Sequence, residues 1–257
     1  MPRHHMHNVI IIGGGLAGLS AAIYLGRSRR DTLLIHSGRS MAKWERDAQN
    51  YLGFPDGIDG NDLLARGFAQ ARCFNAEVVE DEVNALKHNR EGWFEVASTA
   101  QLYLAQRVLL ATGLTHLLPD IPGAKNCLGK SLFFCKDCDA YRVQGRSIVI
   151  IGTNNEATEY ALSMLLFSSN VLICANGSPS RWDTAHAGWL GEYSVPVIQE
   201  HIGSILHDRG QLSAVVLESG ESLGTSRVYD SRRCLSSRPG GASGCSIGQR
   251  RSDCRRP

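Results

Sequence analysis

Apolar positions along the chain form short runs separated by amphipathic stretches. Residues 8–12 are an Ile/Val-rich run that ends in the glycine-dense segment 13–18. Residues 19–27 carry good helix formers, and residues 32–36 are a second run of strand type. Strand, Gly-rich turn, helix and strand in succession predict a βαβ unit with parallel strands. The pattern then predicts a helix over 59–76 and strands over 78–86, 93–98, 101–104 and 108–111. A Pro/Gly-rich stretch at 118–123 reads as a linker. A second cycle follows, with strand 147–151, helix 157–166 and strand 170–174. Residues 195–199, 201–207 and 212–217 read as further strands. Beyond Leu223 neither a 3.6-residue nor a 2-residue period persists, and residues 225–257 are expected to be structureless.

The expected fold class is therefore α/β, with two Rossmann-like three-layer domains. Two βαβ units separated by antiparallel strands and a linker divide the chain into 1–118, 119–224 and a basic tail at 225–257. Composition fits that reading: 43% hydrophobic and 20% charged residues in a chain of 257 suit an ordinary folded protein. The net charge of +2 is unevenly spread. Residues 225–257 hold eight Arg and two Asp, a charge of +6, which leaves −4 for the rest. A mildly acidic body does not suggest nucleic-acid binding. No apolar run is long enough to span a bilayer or to serve as a signal peptide, so a cytoplasmic, membrane-free protein is expected.

Gly13, Gly15 and Gly18 form G-x-G-x-x-G between a strand and a helix. The first glycine permits the tight turn, the second lets backbone approach a pyrophosphate, and the third lets helix and strand pack closely. In a βαβ context this pattern points to a dinucleotide. The acidic residue expected at the end of the second strand is replaced by His36 and Ser37. The second turn, 152–157, is a weaker fingerprint: Gly152 and Ala157 suit the first and third positions, but Asn154 crowds the second. Residues 175–178 offer neither a carboxylate for a ribose nor an Arg or His cluster for a 2′-phosphate.

Cys135-Lys136-Asp137-Cys138 is C-x-x-C, which in a chain of this type reads as a redox disulfide. Half of a zinc site with Cys127 and a histidine is the alternative. Asp139 follows directly and is a candidate general acid, or else a helix cap. Cys73 and Cys174 read as buried small hydrophobes. His4, His5 and His7 read as solvated, and no metal site is expected.

Taken together, residues 9–22, 50–55, 110–113 and 134–139 resemble the low-molecular-weight thioredoxin reductase family in content and order. The resemblance covers about residues 8–224. It implies FAD in the first domain, with the second domain inserted into it. Gly13, Gly15, Leu16, Ala17 and Gly18 would hold the pyrophosphate, while His36, Asn50, Val83, Thr112 and Gly113 fall at positions lining the FAD site. It also implies that Cys138 faces the flavin, that Cys135 attacks a thioredoxin-like partner, and that Asp139 donates the proton. A homodimer is the family expectation. Weak nicotinamide determinants resemble a divergent branch that does not use NADPH, with ferredoxin as a candidate donor. Family members also continue past the inserted domain with a strand that returns to the FAD domain. Here the basic tail stands in its place, so the resemblance implies an FAD domain incomplete at its C-terminal end, from truncation or a shifted reading frame. A non-catalytic FAD-binding remnant or a docking module is the competing expectation.

Overall fold

The computed structural model describes residues 5–116 and 118–231, together with the backbone of 233–235. The chain divides into two compact units, one through residues up to 43 and 61–115, the other through 44–60 and 116–233.

In the first unit β1 (Met6–Ile12) leads through a glycine turn into α1 (Leu16–Arg27) and β2 (Thr32–His36). Next come α2 (Gly60–Cys73), β3 (Glu77–Glu80), β4 (Val83–His88), β5 (Phe94–Ser98), β6 (Leu102–Leu110) and β7 (Leu114–His116). Six strands form one sheet in the order β3-β2-β1-β6-β5-β4. β3, β2, β1 and β6 are parallel, and β4 and β5 add an antiparallel edge. The expected strands at 101–104 and 108–111 are one continuous strand. Its residues 102–105 pair with β5 and 104–110 with β1, so the polar pair Gln106-Arg107 does not break it. Alternation splits the sheet between two cores: Ile10, Ile12, Leu33 and Ile35 lie on one face, and Ile11 and Leu34 pack with helical Leu19, Ala22 and Leu64 on the other.

The second unit contains α3 (Ala124–Cys127), β8 (Leu132–Phe133), α4 (Lys136–Asp139), β9 (Ile148–Ile151), α5 (Asn155–Met164), β10 (Val171–Cys174), α6 (Thr184–Glu192) and β11 (Val197–Ile198). It continues with β12 (Ile202–Asp208), β13 (Gln211–Leu217), β14 (Ser222–Gly224) and β15 (Arg227–Asp230). Five parallel strands run in the order β11-β10-β9-β15-β8, and β12-β13-β14 form an antiparallel sheet. β9 is buried along its whole length, with Val149 and Ile151 in one core and Ile148 and Ile150 in the other. Both faces are covered, as parallel sheets require. A short strand, β16 (Arg233–Leu235), pairs with β7.

The structure departs from expectation after Leu223. Residues 225–231 are not a structureless tail: β15 lies between β9 and β8, with Val228 and Tyr229 fully buried in opposite cores. Four residues with only two apolar side chains are too short to show a period, and they become a strand because neighbours on both sides pair with them. Residues 236–257 lie outside the described residues. Two smaller expectations also change: Cys73 is exposed and His7 is buried. Among the described residues no helix is long and apolar enough to cross a membrane.

Candidate functional site

Two sites are built by the two units. The first stands at the C-terminal end of β1. Gly13 has φ of +116°, and a Cβ there would lie 2.2 Å from the Ala111 carbonyl oxygen at the end of β6. Gly18 is equally constrained, since a Cβ would come within 1.9 Å of the Gly13 oxygen. Gly15 is different. Among the described residues, the nearest atom its Cβ would meet is Ser40 Oγ at 3.7 Å, an ordinary contact, so the space beside Gly15 is not crowded. Gly15 is also the cap residue of α1, with extended backbone and no side-chain cap, and the first turn holds no acidic residue. The amide donors of α1 therefore face an open cradle, which fits a phosphate anion.

His36 closes the β2 edge of this site. Its ring lies against Phe68, with centroids 4.7 Å apart, and Gly14 leaves room for it. Nδ1 accepts from the Gly38 backbone N–H at 3.2 Å. Burial pushes the imidazole pKa below its ordinary value, against the opposing pull of Glu80, so the ring is neutral with Nε2 as donor. Sequence reasoning missed Glu80. Its carboxylate lies 2.7 Å from where a Gly38 Cβ would stand, which returns an acidic group to the end of β2 from the neighbouring strand β3. No local motif could have announced it.

Thr112 and Gly113 follow β6 beside Gly13, and Leu16 and Ala17 form the first turn of α1. Val83 begins β4 and packs on the core of that sheet face. Asn50 falls in the other unit, on an exposed bend.

The second unit repeats the turn with a different outcome. A Cβ on Gly152 would lie 2.2 Å from Ser231 Oγ, just past β15, much as Gly13 meets Ala111 at the end of β6. Both first-position glycines are closely packed, but only Gly13 has a left-handed backbone. At the middle position Asn154 caps α5, its Oδ1 accepting from the Ala157 N–H at 3.1 Å. Glu156 adds an acidic residue to the first turn. Asn155 Nδ2 donates to Asp183 at 2.8 Å, and hydrogen bonds from His186 and Asn155 hold the Asp183 carboxyl down to about 2. This helix start is already capped and faces carboxylates. Beside residues 175–178, His201 lies against Gly177, within 1.9 Å of where a Cβ would sit.

The same unit carries the cysteine pair. Cys135 and Cys138 form a disulfide, with Cα atoms 5.4 Å apart, and both are half-buried. Cys135 caps α4, and Cys138 and Asp139 lie within it. The disulfide sets aside the half-zinc alternative for these two residues. Asp139 is 5% exposed. Burial, then Glu45 and Asp47, push its pKa up to about 7, against the lowering effect of Arg142. The Arg142 guanidinium lies 3.6 Å from Asp139 and donates to the Asp47 carboxylate at 2.9 Å. Its Nε donates to the Tyr141 hydroxyl at 2.7 Å, and that hydroxyl donates to Gln49 at 2.7 Å. Arg142 was legible in principle, three residues beyond Asp139, whereas Glu45 and Asp47 arrive from a distant segment.

An open turn shaped for a dinucleotide phosphate and a C-x-x-C disulfide in one chain narrow the choice of family. The sequence profile of the pyridine nucleotide-disulphide oxidoreductases matches residues 7–181. The chain belongs to that family. Among its relatives is the thioredoxin reductase of Bacillus subtilis, 29% identical over 86% of this chain and 72% of that protein. The bifunctional thioredoxin reductase/thioredoxin of Mycobacterium leprae is 33% identical over 65% of this chain and 37% of that protein. The thioredoxin reductases of Treponema pallidum, Streptomyces clavuligerus and Streptomyces coelicolor are matched over about half their length. The solved thioredoxin reductase of Streptococcus pyogenes shares the fold, with a TM-score of 0.81 at 23% identity over 88% of this chain and 76% of that one. The oxidoreductase fold, two Rossmann-like α/β domains, is therefore that of this chain.

Proposed function

We propose that the chain is an FAD-dependent disulfide oxidoreductase of thioredoxin-reductase type, passing electrons to a thioredoxin-like disulfide. The observation that carries this reading is the pairing of an unfilled glycine cradle at Gly15 with the Cys135–Cys138 disulfide beside a carboxyl titrating near neutrality. Gly13, Gly15, Leu16, Ala17 and Gly18 would hold the FAD pyrophosphate, with His36 and Glu80 offered to the ribose. Val83, Thr112 and Gly113, in the same unit, would be further FAD-lining residues. When bound, the flavin supplies an electron pair to the disulfide.

The chain's own residues account for the rest. In the dithiol form Cys135, the more accessible sulfur in this reading, attacks one sulfur of the partner disulfide as thiolate, and the partner's other sulfur leaves. Cys138 then attacks the Cys135 sulfur. The internal disulfide re-forms, and the partner departs with both sulfurs reduced. The Asp139 carboxyl, protonated below about pH 7, supplies a proton to a departing or newly formed thiolate. Arg142 and the carboxylates Glu45 and Asp47 set its proton affinity.

NADPH is not the donor in this proposal. The α5 start, where a nicotinamide pyrophosphate would bind, is capped by Asn154 and faces ionised Asp183. Ferredoxin is the candidate donor, and a cytoplasmic homodimer the expected form. The test is the visible spectrum of the desalted chain after incubation with FAD. A near-stoichiometric flavin spectrum is expected, bleached by a chemical reductant but not by equimolar NADPH. A colourless protein overturns the FAD reading, and rapid NADPH bleaching overturns the donor reading.

A further inference from the structure

We propose that His5, His7 and Asp31 form a binding site for a divalent first-row transition-metal ion, separate from the redox chemistry. The two histidines stand two residues apart where β1 begins, so strand alternation turns both rings to one face. Asp31 immediately precedes the adjacent parallel strand β2. His5 Nε2 lies 2.8 Å from Asp31 Oδ2, and His7 Nδ1 lies 3.3 Å from the same oxygen. One ligand atom from each residue falls within 4.8 Å of the others, the one such group among the described residues.

These two contacts, which are histidine–carboxylate hydrogen bonds, lie at and about 0.5 Å below the roughly 3.3 Å that separates neighbouring ligands around a tetrahedral ion bound at about 2.0–2.1 Å, so a small outward movement of His5 admits an ion. The donor set is two imidazole nitrogens and a carboxylate oxygen, which suits zinc, nickel, copper or ferrous iron rather than calcium or magnesium. The parts are also preorganised. The His7 side chain is buried while those of His5 and Asp31 are open to solvent, so one ligand is fixed and the entry side is wet. The Asn8 side chain accepts from the Asp31 backbone N–H at 3.0 Å and holds that residue in place. The two rings meet edge to face with centroids 4.6 Å apart, which brings their nitrogens together on one carboxylate.

The site lies at the N-terminal edge of the parallel strands, whereas the glycine turn is at their C-terminal edge. Seven residues of strand separate the two ends, about 20 Å. An ion here would tie the N-terminal arm to the α1–β2 connection and would not touch a cofactor.

Cobalt(II) is the probe, because its spectrum separates nitrogen and oxygen ligands from the chain's cysteines. The full chain, with Cys135–Cys138 oxidised, is titrated with Co2+. The expected result is d–d absorption saturating near one equivalent, without a thiolate charge-transfer band. His5→Ala and Asp31→Asn should each weaken that binding roughly tenfold or more. Both side chains are solvent-accessible, so these variants keep the fold, which circular dichroism verifies. The proposal is overturned by a spectrum dominated by thiolate charge transfer, by unchanged affinity in a folded His5→Ala variant, or by no absorption up to roughly 1 mM Co2+, well short of any structural site.

Discussion

Asp139 carries the sharpest consequence at the scale of single residues. Its carboxyl would ionise near 3.8 in an unfolded chain and titrates near 7 in the folded one. The folded state thus holds the proton more tightly. Its stabilising contribution is complete below about pH 4, is lost as pH rises to about 7, and stays lost above that. The window is worth on the order of a few kcal/mol. Asp139→Asn should remove this slope. Urea midpoints at pH 5 and pH 8 should fall with pH in the parent chain and stay nearly level in the variant; equal slopes would refute the assignment. C-x-x-C-D was visible in the sequence, but the elevated pKa was not. It depends on burial and on Glu45 and Asp47, some 90 residues away along the chain.

At the scale of elements, the two βαβ units start their helices differently. α1 starts without a side-chain cap beside an empty glycine, whereas α5 starts on a capping asparagine. That contrast was readable from Gly15 against Asn154, because a side chain either is or is not present to compete for helix N–H groups. β15 was not readable. Arg227-Val228-Tyr229-Asp230 has too few apolar positions to declare itself, and only pairing with β9 and β8 buries it. The Tyr229 hydroxyl is buried without a hydrogen-bond partner among the described residues, and burial raises its pKa. A lone buried hydroxyl costs desolvation and returns little, so Tyr229→Phe should be neutral or stabilising by up to about 1 kcal/mol. Tyr229→Ala should cost about 3–5 kcal/mol through the cavity it leaves. Chemical denaturation of both variants measures this. A strongly destabilised Phe variant would mean the hydroxyl has a partner.

For the molecule as a whole, the two units have separate cores, and each unit has its own candidate site. A ligand that binds only one folded unit stabilises that unit by mass action, about 2.7 kcal/mol at a hundredfold excess over Kd. Calorimetry should therefore show FAD raising one transition, that of the unit containing Gly13–Gly18, while Cys135→Ser/Cys138→Ser shifts the other. A single transition moved equally by both would show that the units unfold as one.

Local rules carried the sequence a long way. The strand–glycine–helix order determined where a phosphate can approach, and C-x-x-C determined which sulfurs can pair, because both features act over a few adjacent residues. Tertiary structure alone decided the rest. It set Glu80 beside Gly38, His201 against Gly177, and Asp31 between two histidines. It made a strand of β15 and moved Asp139 toward neutrality. Each of these depends on neighbours far away in sequence, whose distance, burial and charge exist only once the sheets have formed.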